Sequence, residues 1–195
     1  MVIDNLDLNS AYQLVKQKNR QAITSLFVHS IQLLAAAQAE IAILAANTAH
    51  LVFDEIQKQV PIPLVSIVDE TCKVAQKAGC QKVIIFETAF TMSSTLYTSA
   101  FQKYQIEAIV PTQEDQEAIH HIIFPNLQNG LVLPEEKDKI LQIARKMLRE
   151  TGATALILGC TELPMIIQEG DLDTLLLDTT QIHIDRILDY LLEEN

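Results

Sequence analysis

Residues 155–162 have the sequence Ala-Leu-Ile-Leu-Gly-Cys-Thr-Glu, and this stretch decides which class of fold the chain is expected to adopt. Four apolar residues are followed directly by small and polar residues, which is typical of a buried parallel strand that turns into a helix. Residues 43–48, Ile-Leu-Ala-Ala-Asn-Thr, have the same form. Similar short apolar runs alternate with helical patterns along almost the whole chain. This alternation predicts an α/β protein with parallel sheets.

The boundaries of the predicted elements follow from where each hydrophobic period begins and ends. Strands are predicted over 41–45, 64–68, 83–86, 108–110, 155–158 and 175–177, with the end of a further strand over 1–8. Helices are predicted over 9–18, 21–38, 49–58, 69–78, 92–103, 113–126, 135–150 and 180–193. Residues 21–39 carry no formal charge, but their polar residues and one-sided apolar pattern favour an amphipathic helix over a membrane span.

The two similar stretches suggest where a ligand would bind. In an open α/β sheet, ligands lie at the carboxyl ends of the strands, where the following helices present unpaired N–H groups. The repeated form allows two halves whose strand ends face each other across a cleft. A strand followed by a capped helix is also a common unit, so the pattern alone leaves duplication and coincidence both open.

The composition excludes several classes of partner and cofactor. The chain has 14 Lys and Arg but 25 Asp and Glu, a formal net charge of −11, which repels nucleic acid and anionic membranes. Its five glycines form no dinucleotide or P-loop motif. No metal site is expected, because the three cysteines lack ligand spacing and His120 and His121 cannot share a helix face. An odd number of cysteines without a signal peptide favours free thiols and a cytoplasmic location.

Cys160 is the first candidate for chemistry. It follows a predicted strand and precedes a predicted helix, whose N-terminus would lower the pKa of the thiol and favour the thiolate. The alternative is that Cys160 is a small buried hydrophobic residue, as most cysteines are.

Polar residues after the other strands are the remaining candidates. Asn47, Thr48 and His50 could bind a carboxylate through amide, hydroxyl and backbone N–H groups, or Asn47 and Thr48 could simply cap a helix beside an exposed histidine. Glu162, two residues after Cys160, is another polar residue that follows a strand, and it could likewise belong to a site or simply cap a helix. His183 lies in the first turns of the last helix, where a surface position is the ordinary expectation.

Six segments, in this order, carry a resemblance to a known family. They are AANTAHLVFDEI (45–56), PIPLVSIVDETC (61–72), TAFTM (88–92), EDQEAIHHIIF (114–124), LILGCTELPMII (156–167) and LLDTTQIH (176–183). Together they resemble the aspartate/glutamate racemase family, within the superfamily that includes glutamate racemase, hydantoin racemase and arylmalonate decarboxylase. The resemblance implies two pseudo-symmetric α/β domains with a cleft between them. It assigns residues 1–66 plus 180–195 to the N-terminal domain and 67–179 to the C-terminal domain.

The resemblance also implies a reaction, cofactor-independent inversion at the Cα of an amino acid. Two thiols on opposite faces of the substrate exchange the Cα proton, without metal or pyridoxal phosphate. Preorganised donors stabilise the charge that develops on the substrate carboxylate. The expected ligand is therefore a small amino acid or carboxylate, and the family commonly forms homodimers.

The family's site residues map onto positions of this chain. Cys160 matches the thiol of the C-terminal domain. The predicted substrate-binding residues are Asn47, Thr48, Thr88, Thr91 and Thr161. Around them lie Ala46, His50, Glu162 and His183.

Three departures from the family pattern bear on activity. Ala46 stands where the family has its first thiol. Glu87 stands where the family has the glycine of its Gly-Thr-x-x-Thr loop. The usual N-terminal strand, glycine-rich loop and helix have no counterpart, so the first domain is expected to be incomplete, through a late start at Met1 or completion by a partner chain.

Three functions fit this pattern. The first is a racemase-family enzyme in which Cys160 is the retained acid and base for aspartate or glutamate-like amino acids. The second is a one-thiol decarboxylase or isomerase of the same superfamily. The third is a catalytically impaired descendant that binds a small carboxylate or assists assembly.

Overall fold

The computed structural model describes residues 1–17 and 19–193. The chain divides into two compact units, Met1–Ser66 and Ile67–Asn195. Each contains helices and a parallel sheet, so the predicted α/β class with parallel sheets is confirmed. Within the described part of the chain, none of the helices has both the length and the apolar character needed to span a bilayer.

The described residues of the first unit form three α-helices, a 3₁₀-helix and a two-stranded sheet. Its helices are α1 (Leu8–Lys16), α2 (Arg20–Ala36) and α3 (Phe53–Gln57), and its strands are β1 (Ala42–Ile43) and β2 (Leu64–Val65). The two strands pair in parallel, with Ala42 opposite Leu64. The core between helices and sheet is apolar, and its most deeply buried side chains are Ile31, Val52 and Ile56.

The start of the chain differs from the prediction. Residues 1–7 form no strand, so the predicted strand end over 1–8 is wrong. Asp7 instead caps α1, since its carboxylate accepts a hydrogen bond from the Ser10 N–H at 2.8 Å. The predicted helix over 9–18 corresponds to α1, and residue 18 lies outside the described residues.

In the second unit, the described residues are built on a four-stranded parallel sheet. Its strands are β3 (Lys82–Phe86), β4 (Glu107–Ile109), β5 (Ala155–Leu158) and β6 (Leu175–Asp178), in the order β4-β3-β5-β6. Its helices are α4 (Ile67–Lys77), α5 (Ala89–Met92), α6 (Leu96–Lys103), α7 (Gln113–His121), α8 (Pro134–Thr151) and α9 (Thr179–Glu193). The central strands β3 and β5 are buried on both faces, which explains their continuous apolar sequence.

Alternate residues of these strands enter two separate cores. Ile84 and Leu156 face the core that contains Ile140 of α8. Val83 and Ile157 face the core that contains Phe101 of α6. Because strand residues alternate between the faces of a sheet, this separation produces helix layers on both sides.

Several predicted helices have different boundaries. The helix predicted over 92–103 begins only at Leu96 as α6. Met92 is instead the last residue of the short helix α5, which Thr88 caps. The predicted helix over 49–58 begins as a 3₁₀-helix at Asn47 and becomes α-helical only at Phe53. The strand predicted over 155–158 is confirmed residue for residue.

The last helix groups with the second unit. The described residues of α9 pack along α4, and Arg186 lies 3.7 Å from the Glu70 carboxylate. The resemblance places residues 180–195 in the N-terminal domain, and this assignment stays a prediction. In the structure α9 continues directly from β6, at the edge of this sheet, and Ile182 packs on the core beneath it.

Candidate functional site

Cys160 comes directly after Gly159, the last residue of the β5 side that hydrogen-bonds to the β3 side. The Gly159 N–H donates to the Phe86 carbonyl at 2.8 Å, so the parallel ladder continues past the last strand residue. A Cβ at position 159 would lie 2.7 Å from Glu87 Cγ and 3.1 Å from the Phe86 carbonyl oxygen. Only glycine fits without a shift, and this close packing brings Glu87 beside the turn that carries Cys160.

The Cys160 thiol is hydrogen-bonded to a carboxylate. Its Sγ lies 2.9 Å from Glu162 Oε2, and the Thr161 hydroxyl donates to the same oxygen at 2.7 Å. Cys160 is half-buried, whereas Thr161 is exposed. Three consecutive predicted residues therefore form one small hydrogen-bonded group at the carboxyl end of β5.

The environment keeps Cys160 protonated. Burial raises the pKa of the Cys160 thiol most strongly, followed by the nearby charge of Glu87 and the hydrogen bond and charge of Glu162. The expected lowering of this pKa by a following helix is wrong. The segment after Cys160 is a single 3₁₀ turn, Leu163–Met165, which is too short to oppose two carboxylates.

Glu87 directly follows β3 and is 2% exposed. Its carboxylate accepts a hydrogen bond from the Thr88 N–H, and the neighbouring Thr88 and Thr91 side chains favour its ionised form. Burial, together with the charge of Glu162, raises the pKa of Glu87 to about 7. In the sequence, Glu87 is recognisable only as a departure from a motif. The signal was a charged residue placed immediately after four apolar strand residues.

The end of β6 lies next to β5 and contributes a further threonine. The Thr179 hydroxyl donates to the Leu158 carbonyl at 3.1 Å and ties the two strand ends together. Asp178 accepts from the Thr180 N–H at 2.9 Å and thereby caps α9. The local sequence gives no sign of the cross-strand bond of Thr179.

His183 is buried, with 4% of its surface exposed, so the expectation of a surface histidine is wrong. It lies four residues after the fully buried Thr179, and residues at this spacing share one face of a helix. The buried face of α9 therefore includes His183.

The residues predicted in the first unit surround the 3₁₀-helix Asn47–Val52. Asn47 and His50 are buried and Thr48 is half-buried. Ala46 occupies the N-cap position, so the interpretation of Asn47 as the cap is wrong. The His50 ring lies 3.1 Å from the Ala46 carbonyl through Nδ1 and stacks on Phe53 with ring centroids 5.2 Å apart.

Two groups of candidate site residues thus emerge, one in each unit, and all of them except Glu87 were predicted. The group in the second unit lies at the carboxyl ends of the adjacent strands β3 and β5 and comprises Glu87, Thr88, Thr91, Cys160, Thr161 and Glu162. The group in the first unit comprises Ala46, Asn47, Thr48 and His50. Among residues 1–17 and 19–193, no three His, Cys, Asp or Glu side chains are arranged to hold a metal ion.

Residues 1–187 match the family model described as Asp/Glu/Hydantoin racemase. The chain belongs to this family. The racemase-family fold is likewise found in an aspartate racemase homologue from Pyrococcus horikoshii OT3, which is 31% identical. The alignment covers 97% of this chain and 82% of that one, with a TM-score of 0.86.

Two further family members are similar. A candidate Asp/Glu racemase from Yersinia pestis is 29% identical over 98% of this chain and 83% of that one, with a TM-score of 0.90. Glutamate racemase from Bacillus cereus is 26% identical over 126 residues, which are 64% of this chain and 45% of that protein. The chain therefore matches less than half the length of this curated racemase. The family resemblance inferred from the sequence motifs is confirmed.

Proposed function

We propose that this protein is a cofactor-independent enzyme of the racemase family that transfers a proton at the Cα of an amino acid of the aspartate/glutamate type. The observation that carries the proposal is the 2.9 Å contact between the Cys160 thiol and the Glu162 carboxylate at the end of a central strand. A thiol held by a carboxylate can both lose and regain its proton without a metal or an organic cofactor. Asn47, Thr48, Thr88, Thr91 and Thr161 stay the predicted substrate-binding residues.

The proposed step begins with the protonated thiol. The proton of Cys160 moves along the hydrogen bond to Glu162, which leaves a thiolate and a carboxylic acid. The thiolate then takes the Cα proton and leaves a planar, enediolate-like intermediate. The Cα-derived proton on Cys160 exchanges with solvent, and Cys160 then returns a solvent-derived proton to the same face of the intermediate. Glu162 gives its proton back to the resulting thiolate, which restores the starting state.

Ala46 determines how far this chemistry goes. It occupies the position of the first family thiol, and a methyl group neither donates nor accepts a proton. One acid–base residue exchanges the Cα proton on a single face. Exchange with retention of configuration is therefore expected to be faster than inversion.

The test is Cα hydrogen–deuterium exchange in D₂O, followed by NMR, with both enantiomers of aspartate, glutamate, asparagine and glutamine. Chiral chromatography of the same samples measures inversion. Cys160→Ala should lower exchange by at least about 100-fold, whereas Cys80→Ser, a change at another thiol of the same unit, should retain it. Glu162→Gln should lower exchange while leaving the thiol in place.

Two results would overturn the proposal. One is exchange that survives in Cys160→Ala, and the other is the absence of exchange with every amino acid tested. Thermal stabilisation by these amino acids without exchange would instead indicate the binding-only function.

A second candidate function is a one-thiol decarboxylase, and Ala46 favours it. Protonation of an enediolate after loss of carbon dioxide needs a donor on one face only, which Cys160 supplies. Carbon dioxide release from an arylmalonate, without Cα exchange of amino acids, would support this function over the first. The homodimer implied by the family stays a prediction, which light scattering of the purified chain would check.

A further inference from the structure

Glu87 places a carboxylate of the protein itself in a turn that is rich in hydrogen-bond donors. The turn runs from Thr88 to Thr91, where the Glu87 carboxylate accepts the Thr88 N–H and lies beside both threonine hydroxyls. The two hydroxyls also contact each other, with 3.2 Å between Thr88 Oγ1 and Thr91 Oγ1. These donors are thus arranged around one carboxylate, and that carboxylate belongs to Glu87.

The side chain is held there by packing as well as by hydrogen bonds. Glu87 is 2% exposed, and its Cγ lies against Gly159, where no Cβ could be accommodated at 2.7 Å. Glycine at 159 therefore leaves the space that Glu87 fills. Cys160 is the next residue, so the filled turn borders the thiol.

The electrostatics of this corner are also unusual. Among the ion pairs of the described residues none includes Glu87, so the polar groups of the turn are what partly offset the burial of its carboxylate. The charges of Glu87 and Glu162 oppose each other, and both raise the pKa of Cys160. A second carboxylate brought to this turn by a ligand would find its donors already engaged. It would also face the charge of Glu162 and, above the Glu87 pKa of about 7, the charge of Glu87.

We propose that Glu87 is a specificity-determining residue, which excludes a ligand carboxylate from the Thr88–Thr91 turn by holding its own carboxylate on the donors of that turn. The inference rests on the proposed function, because it names the substrate class of the Cys160 site. The substrate carries a single carboxylate, and the group that approaches this turn is an amide, a hydroxyl or an ammonium. Asparagine and glutamine therefore fit the site better than aspartate and glutamate.

The test measures binding by calorimetry with the full chain and needs no turnover. The wild-type protein should bind asparagine at least about tenfold more tightly than aspartate, the difference that one charge-assisted hydrogen bond supplies. Glu87→Gly frees the donors and removes a charge, so this preference should disappear or reverse. Adding Thr91→Val to Glu87→Gly removes one freed donor and should weaken aspartate binding again.

Glu87→Gln is the matched control. The glutamine side chain is neutral, but its amide oxygen still accepts from the donors of the turn. If exclusion depends on these donors being engaged, the preference for asparagine should largely persist in this variant. If Glu87→Gly does not fold, as judged by circular dichroism, Glu87→Ala replaces it.

The inference would be overturned if the ratio of asparagine to aspartate affinity were unchanged in Glu87→Gly or Glu87→Ala. It would also be overturned if neither the wild type nor any variant bound either amino acid. Failure of the proposed function is distinguishable. Loss of Cα exchange throughout, with the affinity switch present, refutes the enzyme and leaves the specificity role of Glu87 standing.

Discussion

Replacing Glu87 by Gln should change how the stability of the protein depends on pH. The pKa of Glu87 rises from its usual value of 4.5 to about 7 in the folded chain, because the side chain is buried. Below pH 4.5 this carboxyl is protonated in both the folded and the unfolded chain. Between these values it ionises only on unfolding, so the free energy of unfolding falls as pH rises.

The magnitude follows from the size of the shift. One proton released on unfolding lowers the free energy of unfolding by about 1.4 kcal/mol per pH unit. Over the interval from 4.5 to about 7 the loss is about 3 kcal/mol, and above that interval it stays constant. The Glu87→Gln variant has no carboxyl at this position and does not suffer this loss. The difference in free energy of unfolding between the variant and the wild type should therefore shift in favour of the variant by about 3 kcal/mol from the acid end to the alkaline end of this range.

Urea unfolding followed by far-ultraviolet circular dichroism, at a series of pH values from about 4.5 to about 8, measures this difference. The lowered pKa values of Glu55, Asp69 and Asp171 reduce stability at acid pH in both proteins and cancel in the comparison. Glu150→Gln, at an exposed position of α8, is the control and should change stability by less than about 0.5 kcal/mol. A difference between wild type and Glu87→Gln that is independent of pH would refute the reasoning.

Three further predictions concern the same unit. Gly159→Ala should lower the free energy of unfolding by about 1–3 kcal/mol, because the new Cβ meets the Glu87 side chain. Urea unfolding should show a smaller loss when the same substitution is made in a Glu87→Gly background, and equal losses in the two backgrounds would exclude this contact. Phe101→Ala should cost about 3–5 kcal/mol, because this side chain is fully buried in the core beneath the sheet; a loss under about 1 kcal/mol, measured by thermal or urea unfolding, would contradict that packing. Iodoacetamide at neutral pH should modify Cys160 more slowly than free cysteine, because its pKa is raised, and should reach the buried Cys72 only on unfolding. Mass spectrometry of the alkylated peptides reads both sites, and a Cys160 that reacts faster than free cysteine would show a thiolate instead.

Local sequence patterns were sufficient for the strands of the second sheet. The run Ala155–Leu158 is apolar because β5 is buried on both faces between two helix layers, and that condition is visible in four consecutive residues. Boundaries were less accurate where a cap or turn intervenes. Thr88 starts a short helix of its own, and the periodicity of residues 92–103 contains no sign of that division.

The candidate site was predictable in position but not in electrostatics. Cys160 lies where its sequence context places it, at the end of a strand and in front of a turn. The predicted direction of its pKa shift was wrong, because the pKa depends on burial and on the charges of Glu87 and Glu162. Glu87 is far from Cys160 in sequence, and only the register of β3 against β5, with Phe86 opposite Leu158, makes them neighbours.

The order of apolar runs and turns is sufficient to specify an α/β chain with parallel strands, since backbone periodicity and burial of a strand are local properties. The same order identifies the family through its Gly-Cys-Thr-Glu and Asn-Thr segments. Three properties instead arise from folding: the burial of His183, the grouping of α9 with the second unit, and the carboxylate that fills the Thr88–Thr91 turn. Each depends on contacts between residues that are distant in the chain. Such contacts form, and contribute stabilisation, only once the sheet has brought these residues together.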